Sequence, residues 1–155
     1  MSEAFEFLTP ADKPALLAIS TPEWLALAQA AVLELGYKVH LVESHADFPT
    51  RFNQVPYQVI VIEEIFGGTL PTENTTLQWI QRLPMVQRRH AAIFLLSDAY
   101  ETMNPLQAFQ QSVHAVVNYS EVTILGQIIQ KVVADNDLFY NAYRDMQQRV
   151  AQGKK

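Results

Sequence analysis

The side chains best suited to chemistry in this sequence are acids and hydroxyls that come directly after apolar runs. Glu63 and Glu64 follow one β-branched run, and Ser97 and Asp98 follow another. Carboxylate oxygens are the ligands that hard divalent cations prefer, so Glu63, Glu64 and Asp98 could together hold such a cation. The other interpretation, which we prefer, is that they are neighbouring surface carboxylates without an ion.

Other kinds of chemistry find little support in the residue types. The chain has no cysteine, which excludes disulfides, thiolate metal sites and thiol catalysis. The histidines are scattered over different elements without the spacing of metal ligands. Gly67 and Gly68 follow an apolar run but lack the lysine and hydroxyl residue of a phosphate-binding loop. We therefore predict no metal, flavin or other cofactor.

Composition bounds the class of protein. A chain of 155 residues is the size of one domain, and 49% apolar with 17% charged residues argues against a disordered tail. A net charge of -5 argues against nucleic acid, which needs a concentrated basic face. The N-terminus lacks the pattern of a targeting segment, and the apolar runs are too short to cross a bilayer. We expect a cytoplasmic protein without a membrane or nucleic-acid partner.

The elements that would position these side chains alternate between strand and helix. The predicted strands are Ala15–Ser20, Lys38–Val42, Tyr57–Ile62, His90–Leu96 and Ala115–Val117. The predicted helices are Pro22–Leu35 with Thr21 as N-cap, a short helix within 44–54, Asn74–Leu83, Pro105–Gln111, and a long helix from Val122 onward. This alternation predicts a parallel sheet covered on both faces. Sites in such sheets lie at the carboxyl ends of the strands.

Four local patterns together resemble the CheY-like receiver domain of bacterial two-component response regulators, over about residues 14–134. They are Leu16–Pro22 with Gly36–Val39 beyond it, Tyr57–Glu63 followed by Gly67-Gly68, Ala92–Ser97, and Ala108–Tyr119. The resemblance implies a flavodoxin-like, doubly wound, five-stranded parallel sheet in a three-layer α/β/α sandwich. An extended C-terminal helix would be added to it.

The resemblance also implies where phosphorylation chemistry would lie. The two acids that hold Mg²⁺ in a working receiver map to Ile19 and Ser20, and the phosphoacceptor aspartate maps to Glu63. The lysine that pairs with the acyl phosphate maps to Tyr119. The hydroxyl position, Ser97, fits the family pattern.

These replacements predict a pseudo-receiver without phosphorylation chemistry. Phosphoryl transfer of this kind needs an aspartyl nucleophile, a metal ion and a cation. Glu63 has one methylene more than aspartate, which displaces its carboxylate by about 1.5 Å and loses alignment. Ile19, Ser20, Glu63, Glu64, Ser97, Asp98 and Tyr119 would then line a vestigial pocket.

Two interpretations of Glu63 stay open. It could imitate a phosphorylated aspartate, with its carboxylate near Ser97. The preferred interpretation is a partly solvated acid at a strand end, because without the lysine no group would hold such a mimic in place.

We expect a non-enzymatic regulatory module that acts by protein–protein contact. The resemblance implies an output surface at about residues 104–134, and the expected contact residues are Gln107, Gln111 and Gln130. The alternative is a small-ligand or divalent-metal sensor that uses the pocket at the carboxyl end. A third, weaker possibility is a phosphatase or an inhibitor.

The C-terminal segment departs from the family pattern. We divide the chain into a lead-in at 1–13, a receiver-like domain at 14–134 and a helical extension at 135–155. Phe139, Tyr143, Met146 and Val150 form an apolar stripe at helical spacing. The stripe would either fold back onto the domain or join two copies in an antiparallel homodimer. A break at Asp135–Asp137 is also possible.

Overall fold

A parallel β-sheet forms the centre of the protein. The computed structural model describes residues 12–68, 70–88 and 90–153, apart from the side chains of Pro71, Phe139 and Tyr140. The predicted lead-in at 1–13 therefore lies almost wholly outside the described residues. The strands are β1 (Pro14–Ala18), β2 (Lys38–Leu41), β3 (Val59–Glu63), β4 (Ala92–Ser97) and β5 (Ala115–Asn118). Within the described residues they form one five-stranded sheet in the order β2-β1-β3-β4-β5.

Helices connect the strands. They are α1 (Pro22–Glu34), α2 (Asp47–Gln54), α3 (Thr75–Arg82), the single turn α4 (Met85–Arg88), α5 (Pro105–Gln111) and α6 (Leu125–Ala151). Short 3₁₀ turns lie at Phe66–Gly68, Pro71–Glu73 and Tyr119–Ile124. Each connection between parallel strands therefore contains helical structure, as crossover connections require.

Two apolar layers cover the two faces of the sheet. On one face, Leu17 and Val61 pack with Val32 of α1 and Ile129 of α6. On the other face, side chains from the alternate strand positions, such as Ile60, pack with α2, α3 and α5. Alternate residues of a strand point to opposite faces, so the fully buried strands β1, β3 and β4 serve both layers. This arrangement confirms the predicted flavodoxin-like, three-layer α/β/α sandwich.

Some predicted boundaries are shifted. Glu63 is the last residue of β3, where it pairs with Leu96, and Ser97 is the last residue of β4, where it pairs with Asn118. Each strand therefore extends one residue further than its apolar run, because ladder pairing with a neighbour depends on the backbone and accepts a polar side chain.

The final helix differs from the prediction at its start and in its middle. It begins at Leu125 after the 3₁₀ turn, whereas the sequence predicted a start at Val122. It then runs without interruption through Asp135–Asp137 to Ala151, so the possible break there is absent. Those three polar residues lie in the interior of a long helix, where neighbouring turns supply the backbone hydrogen bonds.

Candidate functional site

The carboxylate of Glu63 lies at the carboxyl end of the central strand β3 and is fully buried. Its Oε1 accepts hydrogen bonds from the backbone N–H groups of Ser20 and Thr21, at 2.9 and 3.0 Å, and from the Ser20 hydroxyl at 3.3 Å. Its Oε2 accepts from the hydroxyl of Tyr119 at 2.8 Å and from the hydroxyl of Thr21. The expectation of a partly solvated Glu63 is therefore wrong.

These donors determine the charge of Glu63. Burial by itself raises the pKa of a carboxyl group because it disfavours the charged form. In Glu63, hydrogen bonds from Thr21, Ser20 and Tyr119 outweigh burial and lower the pKa below its ordinary value. The pocket therefore holds an ionised carboxylate that hydrogen-bond donors stabilise.

Tyr119, which the resemblance maps to the receiver lysine, lies beside Glu63. Its ring stacks on Trp24 of α1, with the ring centroids 4.7 Å apart and 13° between the planes. Burial raises the pKa of the Tyr119 hydroxyl, and the hydrogen bond to ionised Glu63 raises it further. The hydroxyl thus stays protonated and donates to the carboxylate, so a holding group for Glu63 is present that the sequence interpretation missed.

Thr21 has a different role from the predicted one. It stands at the N-cap position of α1, but its hydroxyl donates to Glu63. The short side chain is within reach because the β1–α1 turn brings the start of α1 against the end of β3. The start of α1 is thus tied to the central strand through a carboxylate.

Ile19 and Ser20, which the resemblance maps to Mg²⁺ ligands, face different surroundings. Ile19 is buried in the apolar layer that α1 and α6 cover, away from the pocket. The Ser20 hydroxyl accepts a hydrogen bond from the N–H of Gly67 at 3.0 Å. Gly67 has a φ of +77°, and a Cβ there would approach Nε2 of His45 to 3.0 Å, so glycine is needed for this close turn.

Glu64 forms a second buried acid beside the first. Its Oε1 accepts a hydrogen bond from the Ser97 hydroxyl at 2.5 Å, so Ser97 pairs with Glu64 and not with Glu63. Burial raises the pKa of Tyr100 to about 12, and a hydrogen bond to Glu64 adds to this shift. The contacts therefore do not support Glu63 as a phosphate mimic that bonds to Ser97.

Asn74 fixes the backbone beneath both acids. Its side chain is fully buried, and its Nδ2 donates to the carbonyl oxygens of Glu63 and Glu64, at 3.0 and 2.9 Å. Its Oδ1 accepts from the N–H of Leu77 and so caps α3. The sequence suggested Asn74 as a helix start, but its bonds to the acid pair had no local signal.

The expected cation cluster is not assembled. Glu63 and Glu64 each bond to their own hydroxyl donors, whereas Asp98 is exposed. In the part of the chain that the structure describes, no group of three or more acids or histidines is arranged to hold a metal ion.

The predicted partner surface contains α5, β5 and the first half of α6. Gln107 accepts a hydrogen bond from the N–H of Glu101 at 2.8 Å, and the carbonyl of Gln111 accepts one from the side chain of Gln81 at 2.9 Å. Gln130 is exposed on α6. Two large apolar side chains of α5 are also exposed on this face, Leu106 at 64% and Phe109 at 80%. The sequence did not predict them as contact residues.

A groove of about 560 Å³ lies where the ends of α5 and β5 meet α6. Met103 and Phe109 lie on one side of it, and Val132, Asp135 and Asn136 of α6 lie on the other. His114 also lines it, and Nδ1 of His114 accepts a hydrogen bond from the N–H of Ile93 at 3.0 Å.

The stripe on the C-terminal half of α6 is directed toward solvent where it is described. Met146 is 62% exposed and Val150 is 73% exposed. The Tyr143 hydroxyl accepts a hydrogen bond from Gln147 one turn later, at 2.9 Å. The side chain of Phe139 lies outside the described residues.

Similarity to known proteins is found in structure and not in sequence. No protein-family model and no curated protein match the chain. A response regulator from Thermotoga maritima is similar with a TM-score of 0.61 and 10% identity, over 79% of this chain and 98% of that one. An orphan response regulator of H. pylori gives 0.59 and 14%, over 78% and 96%. A CheY-like protein from Pseudomonas aeruginosa gives 0.56 and 13%, over 78% and 99%.

These similarities cover 78–79% of this chain and nearly all of each similar structure. At such low identity they concern the fold alone. Among the described residues, no helix combines the length and apolar character needed to cross a membrane. The chain has the fold of a CheY-like receiver domain of response regulators.

Proposed function

We propose that this protein is a non-enzymatic signalling module, a pseudo-receiver that acts by protein–protein contact without phosphorylation. The observation that carries the proposal is the hydrogen bonding of Glu63. Both oxygens of its carboxylate are occupied by donors from the β1–α1 turn and from Tyr119. A phosphoryl group would need to displace these donors and would find no lysine to pair with.

The arrangement has a direct consequence for switching. A working receiver changes state when a new charge arrives at the end of β3 and attracts nearby hydroxyl groups. Here Ser97 and Tyr119 already bond to Glu64 and Glu63. The hydroxyl groups that would follow an incoming charge are thus already bonded, so we expect no switch that depends on phosphorylation.

The exposed apolar residues of α5 support the contact function. Leu106 and Phe109 lie on the face that receivers use for output, and they leave a large apolar area in water. Self-association through the extension of α6 belongs to the same proposal. The metal-sensor alternative has no supporting observation at the pocket.

Phosphorylation chemistry tests the proposal. The protein is incubated with acetyl phosphate and Mg²⁺, and its intact mass is recorded beside that of the Glu63→Gln variant. We expect no gain of a phosphoryl group in either protein. A stable phosphoryl adduct on the native chain that is absent from Glu63→Gln would overturn the proposal.

A further inference from the structure

The apolar seam of α6 continues beyond the domain. Leu125, Ile129 and Val132 pack into the core, with alternating spacings of four and three residues. The same spacing continues through Asn136, Phe139, Tyr143, Met146 and Val150. A repeat of 3.5 residues is typical of a helix that pairs with another helix along this seam. Toward the end of α6 the described seam residues Met146 and Val150 are exposed.

This half of the helix carries apolar residues into water. Met146 and Val150 of the seam are 62% and 73% exposed. Burial of such side chains is favourable, so an uncovered stripe of this kind tends to find a partner. At this exposure their own domain does not cover them.

The seam leads directly into the groove on the α5–α6 face. Val132, Asp135 and Asn136 of α6 form one wall of the groove, and Met103 and Phe109 lie opposite. From Asn136 to Val150 the helix rises by roughly 21 Å at 1.5 Å per residue. A second α6 that runs antiparallel along this length would therefore place its end in the groove.

We propose that the groove binds the C-terminal end of α6 from a second copy of this chain, in an antiparallel homodimer. The inference rests on the proposed protein-contact function and adds its partner and its register. With a two-fold axis near residue 141, Val150 of one copy lies opposite Val132 of the other. Met146 then lies opposite Asn136, and each groove receives one helix end.

Charge complementarity selects this register. The seam places Asp135 and Arg149 on the same flank of α6, beside positions 136 and 150. In the antiparallel pairing, Asp135 of one copy lies beside Arg149 of the other, and the two-fold axis repeats the pair. In a parallel pairing, Asp135 would lie beside position 140, which carries no charge.

Light scattering or sedimentation of the full chain provides the first test. We expect a dimer at micromolar concentration. The Val150→Asp variant places an unpaired charge in the apolar seam and weakens dimerisation by about a hundredfold. The matched control is Gln148→Asp on the outer face of the same helix, which leaves the dimer intact. A full chain that stays monomeric at high micromolar concentration overturns the proposal.

Charge exchange tests the register. Asp135→Arg and Arg149→Asp each place like charges together and weaken the dimer by roughly tenfold, and the double variant regains most of the loss. Circular dichroism verifies that each variant keeps its helix. Equal weakening in the double variant and the single variants overturns the antiparallel register.

Cross-linking gives an independent result because the chain has no cysteine of its own. A mixture of Asn136→Cys and Met146→Cys proteins forms a mixed disulfide under mild oxidation, whereas Met146→Cys alone forms none. Self-linked Met146→Cys dimers indicate a parallel pair and overturn the proposal. Phosphoryl uptake at Glu63 would overturn the proposed function without changing these masses, so the two failures are distinguishable.

Discussion

The pocket at the end of the sheet and the face formed by α5 and α6 differ in how far their side chains are buried and bonded. In the pocket, the acids Glu63 and Glu64 are buried and bonded to hydroxyl and N–H donors. On the face, large apolar residues such as Phe109 and Val150 remain in water. A receiver normally connects the two regions through phosphorylation. In this chain the acids of the pocket are bonded to donors of the chain itself, and the apolar side chains of the α5–α6 face are exposed.

The largest expected effect is the loss of the Glu63 carboxylate. Glu63→Leu leaves the partly buried donors of Ser20, Thr21 and Tyr119 without their acceptor, so we expect a loss of about 2–3 kcal/mol in the free energy of unfolding. Urea denaturation measures this difference.

The matched control for Glu63→Leu is an acid at the same edge of the sheet that is exposed. Asp98→Asn is expected to change the free energy of unfolding by no more than about 0.5 kcal/mol. Equal effects of the two variants would show that the pocket acids are not held as the contacts indicate.

A smaller effect is expected from one donor. Thr21→Val keeps the shape of the side chain and removes the hydroxyl that bonds to Glu63, which costs about 1–2 kcal/mol of stability. Thr50→Val on the exposed surface of α2 is the control and stays near zero. If the hydroxyl of Thr21 were a simple helix cap, Thr21→Asn would restore full stability, and we expect that it does not.

The pH dependence of stability sharpens the account of the pocket. The folded pKa of Glu63 is lowered, so the group stabilises the fold above its unfolded pKa and loses this contribution as the pH falls through the folded pKa. We expect the native chain to lose stability in this acid range, with a shallower slope in Glu63→Gln. Parallel curves for the two proteins would contradict an ionised Glu63.

A second pH range belongs to two histidines that lie outside the pocket. Burial lowers the pKa of His90 and of His114, so protonation of the unfolded chain removes stability as the pH falls below about 6.5. This loss is expected in Glu63→Gln as much as in the native chain. Denaturation curves measure this loss of stability when they are recorded from about pH 5 to about pH 8, around the unfolded histidine pKa.

The smallest effect on the fold is expected at the apolar face. Phe109→Ser changes an 80% exposed side chain in α5, and serine and phenylalanine have similar helix propensities. Stability should stay within about 0.5 kcal/mol of the native value, whereas association in solution weakens. A large loss of stability would show that Phe109 belongs to the core.

The sequence predicted the fold better than the pocket, for physical reasons. Buried β-branched runs and helix stop signals are local, so the order of strands and helices could be derived from them. The partners of Glu63 come from Thr21 and Tyr119, which are 42 and 56 residues away along the chain. Their contact arises only when α1 and the turn after β5 meet at the end of β3, and no local pattern encodes it.

The extent of α6 has a similar explanation. The polar residues Asp135–Asp137 allow a break, because polar residues often end a helix. The spacing of the seam continues across them, and so does the helix. The exposure of Leu106 and Phe109 has no local sequence signal, because an apolar residue on a helix is ordinarily assigned to the core. Which side of α5 faces the sheet depends on Ala108, whose burial only the packed structure reveals.

The most direct measurement for the closed pocket is an NMR titration of the full chain with Mg²⁺ and beryllofluoride, a phosphoryl mimic. The amide resonances of Ser20 and Thr21 report on the pocket because both N–H groups donate to Glu63. We predict that these resonances stay in place during the titration of the native chain, and that the Glu63→Gln substitution itself shifts them because it changes their acceptor. Saturable shifts of Ser20 and Thr21 in the native chain would contradict a pocket that is closed by its own groups.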